Sequence, residues 1–503
     1  MKITQHPKHF VPVLLALLFT MFGCHKEETV NPAPMLPLHA VRGATPGIYD
    51  ANGRFMLLRG VNYNALGDYW QGNAGTPPTV AYSASDFEQM ATYGFNCVRL
   101  LFSWSKLQPQ KGVIDQNYIN QIKRAVEDAA RNNLYIVLDM HQDAWGKYVA
   151  TPDFALCETP AKGWDGAPQW ATITHDSSTC TINGMRESAP AVVTAFHNFW
   201  NNTNGIQDDC KAAWAELVKQ TCQYANIAGY DLLNEPNMGY GTLDQERQNL
   251  NNFYGSLIET IRQAESSTGC QKHIVFVETA VTLAGAANPI VPDPAFTADD
   301  NLVFAPHHYF ESISYDLSIE LGYNILRAGS VLFNSTLWVG EWGYFNGIAD
   351  TAKIKRFAAM EDACFCGSAW WQWAQAPGDP HGVWWNGSSF SASDNSMHLI
   401  EVNAGGLRTG NVNTPFLNIL SRARPLAITG MPVAFTSNPT NGLLHLEADA
   451  STTGDTEIWI PDRFGTPLIT GTNILQVTTN VVNGGYLAKV QVQPGTYTID
   501  VAY

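Results

Sequence analysis

Eight short apolar runs, most of them separated by helical patterns, constrain this 503-residue chain more than any other feature. They are Phe55–Asn62, Phe95–Leu101, Leu134–His141, Ile227–Glu235, His273–Glu278, Asn301–His308, Thr336–Glu341 and Gly367–Trp373. Runs of this length read as strands buried on both faces. Helical spacing covers Ala84–Tyr93, with Ser83 or Ser85 as a cap, and Gln116–Asn132, where Ile119, Ile122, Val126 and Ala129 recur. It returns at Pro190–Trp200, Lys211–Tyr224, Leu243–Glu265, Ser318–Leu332 and Ala352–Ala363. Strand and helix in this order predict an α/β fold, a (β/α)8 TIM barrel.

In such a barrel the C-terminal ends of the strands carry the active site. Arg99, His141 and Asp143, Asn234 and Glu235, His307 and Tyr309, Glu341, and Trp371 all fall at such ends. A glutamate ending a buried strand needs a partner for its charge. Taken singly, Glu235 or Glu341 reads as a salt-bridged loop residue. Two of them, ending two separate strands, are what a two-carboxylate mechanism requires.

Past Pro425 the helical spacing stops. Short strand-like runs follow, some divided by Asn441-Gly442 and Asn483-Gly484-Gly485. They predict a small C-terminal antiparallel β-sandwich, either a carbohydrate-binding module or a domain that braces the barrel. The expected division is an export signal at 1–24, a polar tether at 25–45, the barrel at 46–424 and the sandwich at 425–503. Lys2 and Lys8 precede an apolar run, Phe10 to Phe22, too short to span a membrane. Its end, Met21-Phe22-Gly23-Cys24, resembles a bacterial lipoprotein signal with lipid on Cys24, although Met21 and Phe22 depart from the usual pattern and a plain secretory signal stays open. Export permits disulfides. Cys157 and Cys180 flank one long loop and are the expected pair. Cys97 reads as a buried free thiol. Cys210 and Cys222 are too far apart to pair along one helix, and Cys364 and Cys366 too close.

A net charge of −16 argues against a nucleic-acid partner and against docking on anionic membranes, so membrane contact is expected only through Cys24. The 15 tryptophans suit sugar faces or an aromatic-rich core. No Cys/His spacing reads as a zinc site, and no metal or cofactor is expected.

Leu233-Asn234-Glu235-Pro236 together with Val339-Gly340-Glu341-Trp342-Gly343 resembles glycoside hydrolase family 5, a retaining (β/α)8 family. Within it, Leu138-Asp139-Met140-His141-Gln142-Asp143, Arg422-Ala423-Arg424-Pro425-Leu426-Ala427-Ile428-Thr429-Gly430 and Thr456-Glu457-Ile458-Trp459-Ile460-Pro461 resemble the endoglycoceramidase group. The resemblance implies Glu341 as nucleophile and Glu235 as acid/base. It implies Asn234 on the sugar 2-hydroxyl, Arg99 and Tyr309 as groups that position Glu341, and His141, Asp143 and His307 in subsites. Trp371 would be the stacking platform, with Trp373 the competing register. His308 reads as structural. Asp139 reads as a partner behind the site or a buried hydrogen-bonded acid, and Glu278 closes the fifth strand without an implied role. Trp145, Trp164 and Trp170 either line a sugar or lipid groove or pack the insert on itself.

The expected activity is a monomeric retaining β-glycoside hydrolase acting on a β-linked glycoconjugate, a glycolipid or an oligosaccharide. The alternatives are a β-glucanase or β-glucosidase on a soluble saccharide or small glycoside, and a non-catalytic surface sugar-binding protein.

Overall fold

Eight parallel strands form the central ring of the computed structural model, which describes residues 1, 35–71, 75–149, 163–182, 185–281, 291–313, 317–344, 350–382 and 397–503. They are β1 (Arg59–Tyr63), β2 (Cys97–Ser103), β3 (Tyr135–His141), β4 (Ile227–Asp231), β5 (Ile274–Val277), β6 (Leu302–Phe304), β7 (Trp338–Trp342) and β8 (Gly367–Trp370). Their hydrogen-bonded order is β7-β8-β1-β2-β3-β4-β5-β6. Parallel bridges from Phe304 to Leu337 and from His308 to Trp342 bring β6 against β7 and close the ring. Strand alternation then sorts the side chains. On β2, Val98 and Leu100 join the large cluster shared with the helices. Cys97 joins an interior cluster with Val137, Ala228, Phe276, Val303 and Trp338.

The helices form where the spacing places them, at Ala84–Thr92, Gln116–Arg131, Pro190–Trp200, Ile206–Thr221, Leu243–Thr268, Ile319–Leu332 and Thr351–Ala363. Asp115 caps the second by accepting from the N–H groups of Asn117 and Tyr118. Thr242 and Gln245 form a reciprocal capping box on the long helix Leu243–Thr268.

The expected run Phe55–Asn62 divides in two. Leu57 faces the sandwich core, whereas Leu58 joins the barrel interior. Phe55–Met56 therefore pairs with Arg424–Ile428 of the sandwich, and only Arg59–Tyr63 enters the ring. The stretch expected as a polar tether holds a strand, Leu38–Val41, paired with Gly47–Asp50. Leu38, Ala40 and Ile48 pack into the apolar interior of the barrel, which gives them a reason to order. These N-terminal strands extend one sandwich sheet to seven strands. It packs on a four-stranded sheet made of Met431–Ser437, Leu444–Ala450, Gly495–Ala502 and Leu468–Thr472.

All of these elements lie in one unit, Pro34–Tyr503. The expected export signal and Cys24 lie outside the described residues, as does Cys157. Cys180 is disulfide-bonded. A second disulfide, not anticipated, joins Cys222 to Cys270. Cys97, Cys210, Cys364 and Cys366 are free. No helix among the described residues is long and apolar enough to cross a membrane.

Barrel and sandwich meet over a buried ion cluster supplied by the Arg422-Ala423-Arg424 stretch. Arg422 donates to Glu361 at 2.7 Å and Asp362 at 2.6 Å, and Arg59 donates to Asp362 at 2.6 Å. Arg424 instead donates to the carbonyls of Leu420 and Gly94. Burial first, then Arg59 and Arg422, lower its guanidinium to about 9. Gly94, at φ +71°, lies flat against Trp459, and a Cβ there would collide with the indole. Arg422→Ala would leave Arg59 as the one guanidinium of the cluster on two buried carboxylates. The expected cost is about 3–5 kcal/mol, read from the denaturant unfolding midpoint. An unchanged midpoint would mean that the cluster contributes nothing to holding the two parts together.

Candidate active site

Arg99 rises from β2 into the barrel with no exposed surface. Its guanidinium donates to Glu341 Oε1 at 2.6 Å, Asp231 Oδ2 at 2.8 Å, Glu278 Oε1 at 2.9 Å, Asn234 Oδ1 at 2.9 Å and Asn62 Oδ1 at 3.1 Å. Asp139 Oδ1 lies 3.1 Å from its Nη2. One arginine therefore ties together groups from or just beyond β1, β3, β4, β5 and β7. Glu341, on β7, also accepts from the Tyr309 hydroxyl at 2.9 Å. Both of its oxygens are therefore held by donors.

Glu235 stands beyond the end of β4, past Asp231, rather than within the strand as the apolar run suggested. It adopts φ +39°, a conformation a non-glycine residue rarely takes. Its N–H donates to Glu278 Oε2 at 2.9 Å, and the Gln142 amide donates to its carbonyl at 2.8 Å. Its Oε1 meets His307 Nδ1 at 2.7 Å. Oxygens of Glu235 and Glu341 and a nitrogen of His307 all lie within 4.8 Å of one another. Burial raises the Glu235 carboxyl above its ordinary value; His307 opposes the shift and Glu341 adds to it. Burial disfavours a charged His307, but Glu278 and Glu341, together with Glu235, outweigh it and raise the imidazole well above its usual value. Asn234 donates to the Gln142 carbonyl at 2.9 Å and accepts from Arg99, which leaves one N–H and one lone pair of its amide for a ligand.

A second polar group adjoins this pair. His141 lies between Asp139, at 2.8 Å from Nδ1, and Asp143, at 3.1 Å from Nε2. Asp143 also meets His381 Nε2 at 2.8 Å and accepts from Arg186 Nη2 at 2.9 Å. Burial opposes ionisation of Asp143, yet His381, Arg186 and His141 hold it well below the usual carboxylate range. Trp371 stacks on His141 with the rings 15° from parallel and also packs on His381. Trp373 packs in the core against Phe95 and Tyr93, so Trp371 is the tryptophan at the site.

The insert tryptophans divide. Trp145 is buried among Phe196, Phe199 and Trp104, and Trp170 packs on Trp104. Trp164 lies under the Arg186 guanidinium, 3.3 Å from its ring centre, and against His381. Its surroundings are those of a polar subsite, not of an apolar wall. His308 is structural: it meets the Ile319 carbonyl at 3.0 Å, and burial lowers it to about 4.

Every residue expected at the site is therefore brought to one end of the barrel. Sequence reasoning missed His381 and Arg186 and left Glu278 idle. His381 sits in the connection after β8, and Arg186 in the irregular insert, where no periodicity marks them. Two trios, His141/Asp143/His381 and Glu235/His307/Glu341, have donor atoms close enough to hold a cation. In each, the imidazoles are raised by the carboxylates beside them.

His381 supplies a pH test. Burial disfavours its cation, but Asp143 and Asp379 outweigh that and raise it to about 9. A group raised on folding stabilises fully below its unfolded value, about 6.5 for histidine, and this stabilisation fades as pH rises through the folded value. The difference in Tm between the native protein and His381→Gln should be largest near pH 6 and vanish above about pH 10. A difference that does not change over that range would mean that the imidazolium charge contributes nothing.

Comparison with known proteins agrees with this geometry. The family model for Cellulase (glycosyl hydrolase family 5) matches residues 49–377, more than half of the chain. Endoglycoceramidase I of Rhodococcus hoagii is 26% identical over 333 residues, 64% of this chain and 62% of that relative, so the match falls short of two thirds of its length. The crystal structure of an endogalactoceramidase superposes with a TM-score of 0.83 at 36% identity, covering 93% of this chain and 99% of the other. Endo-glycoceramidase II from Rhodococcus sp., solved as a lactosyl-enzyme intermediate, shares the fold with a TM-score of 0.69 at 21% identity, covering 90% and 98%. The chain belongs to glycosyl hydrolase family 5.

Proposed function

We propose that this protein is a retaining β-glycoside hydrolase that releases the sugar of a β-linked glycolipid. The observation that carries the reading is the carboxyl pair: oxygens of Glu235 and Glu341 approach within 4.8 Å. Retaining enzymes hold their carboxyl groups about 5–5.5 Å apart, whereas inverting ones leave about 6.5–9.5 Å for a water. The two environments then separate the roles. Glu341, gripped by Arg99 and Tyr309, is the anion that attacks C1. Glu235, raised by burial, carries the proton that passes to the leaving oxygen as the C–O bond breaks. The product of this step is a glycosyl ester on Glu341. Its formation removes the Glu341 charge, which favours the Glu235 carboxylate left by that proton transfer; the carboxylate takes a proton from water, whose oxygen attacks C1 and frees Glu341.

Asn234 has hydrogen-bonding capacity left for the 2-hydroxyl. His141, Asp143, His381 and Trp371 form the polar and stacking surface of a sugar subsite. The lipid part of the reading is supported by likeness to the endogalactoceramidase structure along nearly the whole chain. Export through the signal expected at residues 1–24 belongs to the same reading.

Glu341→Ala should lose turnover by at least about a thousandfold with the fold intact, and azide should restore cleavage of an activated aryl glycoside with release of the α-glycosyl azide. An unimpaired variant would remove Glu341 from the mechanism. Detergent-dispersed glycosylceramides should be cleaved with higher kcat/KM than cello-oligosaccharides. The reverse order would shift the substrate to a soluble saccharide and leave the chemistry standing.

A further inference from the structure

We infer that Glu278 is a positioning residue: by facing His307 Nε2 it keeps Nδ1 donating to Glu235, which leaves the outer Glu235 oxygen free to present its proton to the leaving group. The inference rests on the reading of Glu235 as the acid/base.

Glu278 follows β5 directly and is 2% exposed. Its two oxygens hold three parts of the machinery. Oε1 accepts from Arg99 Nη2 at 2.9 Å and lies 3.3 Å from His307 Nε2. Oε2 accepts the Glu235 main-chain N–H at 2.9 Å, where the backbone has positive φ. The same carboxylate thus touches the arginine on the nucleophile, the imidazole on the acid, and the backbone of the acid itself. The charged groups facing His307 are Glu235, Glu278 and Glu341. Those facing Glu278 are Arg99 and His307, with Asp231 and Asp139 nearby.

A histidine with a carboxylate at each ring nitrogen is held with both nitrogens protonated. In that state Nδ1 can only donate, so the Glu235 proton must sit on the oxygen that His307 does not touch. Take the Glu278 charge away, and the ring needs one proton only. If it stays on Nε2, Nδ1 becomes an acceptor and draws the Glu235 proton inward, away from the glycosidic oxygen. The imidazolium serves the second half-reaction as well, because it stabilises Glu235 as the anion that takes a proton from water. Burial disfavours ionised Glu278, but His307 and Arg99 outweigh it and hold the carboxyl below its usual value, consistent with a charged partner on the ring.

The test compares the native enzyme, Glu278→Gln and Glu235→Ala on aryl β-glycosides of one accepted sugar and graded leaving-group acidity. Glu278→Gln should lower kcat/KM about 100-fold for poor leaving groups and less than about threefold for a dinitrophenyl glycoside, which needs no proton. A loss equal across the series would make Glu278 a packing residue and overturn the inference. Glu235→Ala is the internal control: without a leaving-group split there, it is the acid assignment that fails. Nitrogen-15 NMR of the native enzyme decides even if Glu278→Gln does not fold. His307, assigned by its loss in His307→Gln, should be doubly protonated at pH 7, and a neutral ring would overturn the inference.

Discussion

The Arg99 guanidinium is the interaction on which the catalytic end of this barrel depends. Four carboxylates, from Asp139, Asp231, Glu278 and Glu341, lie within about 3 Å of it inside a protein core, where any one of them unpaired would be strongly destabilising. One cation does not balance four anions, and the structure resolves the excess in two ways. His141 and His307 are raised well above their usual values by carboxylates that outweigh their burial. Burial and Glu278 push Asp231 well above the ordinary carboxylate range, and burial also raises Asp139. The planar fork of arginine suits this position in a way a lysine would not, because each face of the guanidinium edge meets a separate oxygen.

That arrangement supports the proposed division of labour between the two glutamates. Glu341 is bound by the arginine and a tyrosine. The carboxyl of Glu235, four residues beyond the end of its strand, meets an imidazole that already serves other carboxylates. Carboxyl groups of one chemical type are thereby set to opposite tasks by what surrounds them. The opposite end of the barrel is closed by apolar packing. There Leu38, Ala40 and Ile48 fill an apolar interior, and the sandwich is fastened over a closed cluster of Arg59, Arg422, Glu361 and Asp362.

Much of this is written in the chain because a strand buried on both faces cannot end in a charged residue without a reason. Arg99, His141, Asn234, Glu235, His307, Tyr309 and Glu341 were all legible from that rule and from a resemblance. Glu278 obeys the same rule and was visible, but its three partners exist only once the ring closes. His381 and Arg186 reach the site from irregular connections, where sequence carries no period to read. The strand Leu38–Val41 reads as tether because the Pro-rich stretch around it is polar, and a four-residue strand shows its burial only against the surface it covers. The split at Leu57 and Leu58 has the same cause: one unbroken apolar run feeds two different cores. Trp371 and Trp373 could not be told apart in a run of tryptophans until His141 was seen stacked on the first.

The claim at the centre of this account is that Glu341 forms a covalent bond to the sugar. Incubating the enzyme with an activated 2-deoxy-2-fluoro-β-glycoside, which slows breakdown of that bond, and mapping the labelled peptide by mass spectrometry tests it directly. The account predicts a single glycosyl adduct on Glu341, absent from Glu341→Ala. An adduct on Glu235 or Asp143, or turnover of an unfluorinated aryl glycoside to a first-formed α sugar, would contradict it.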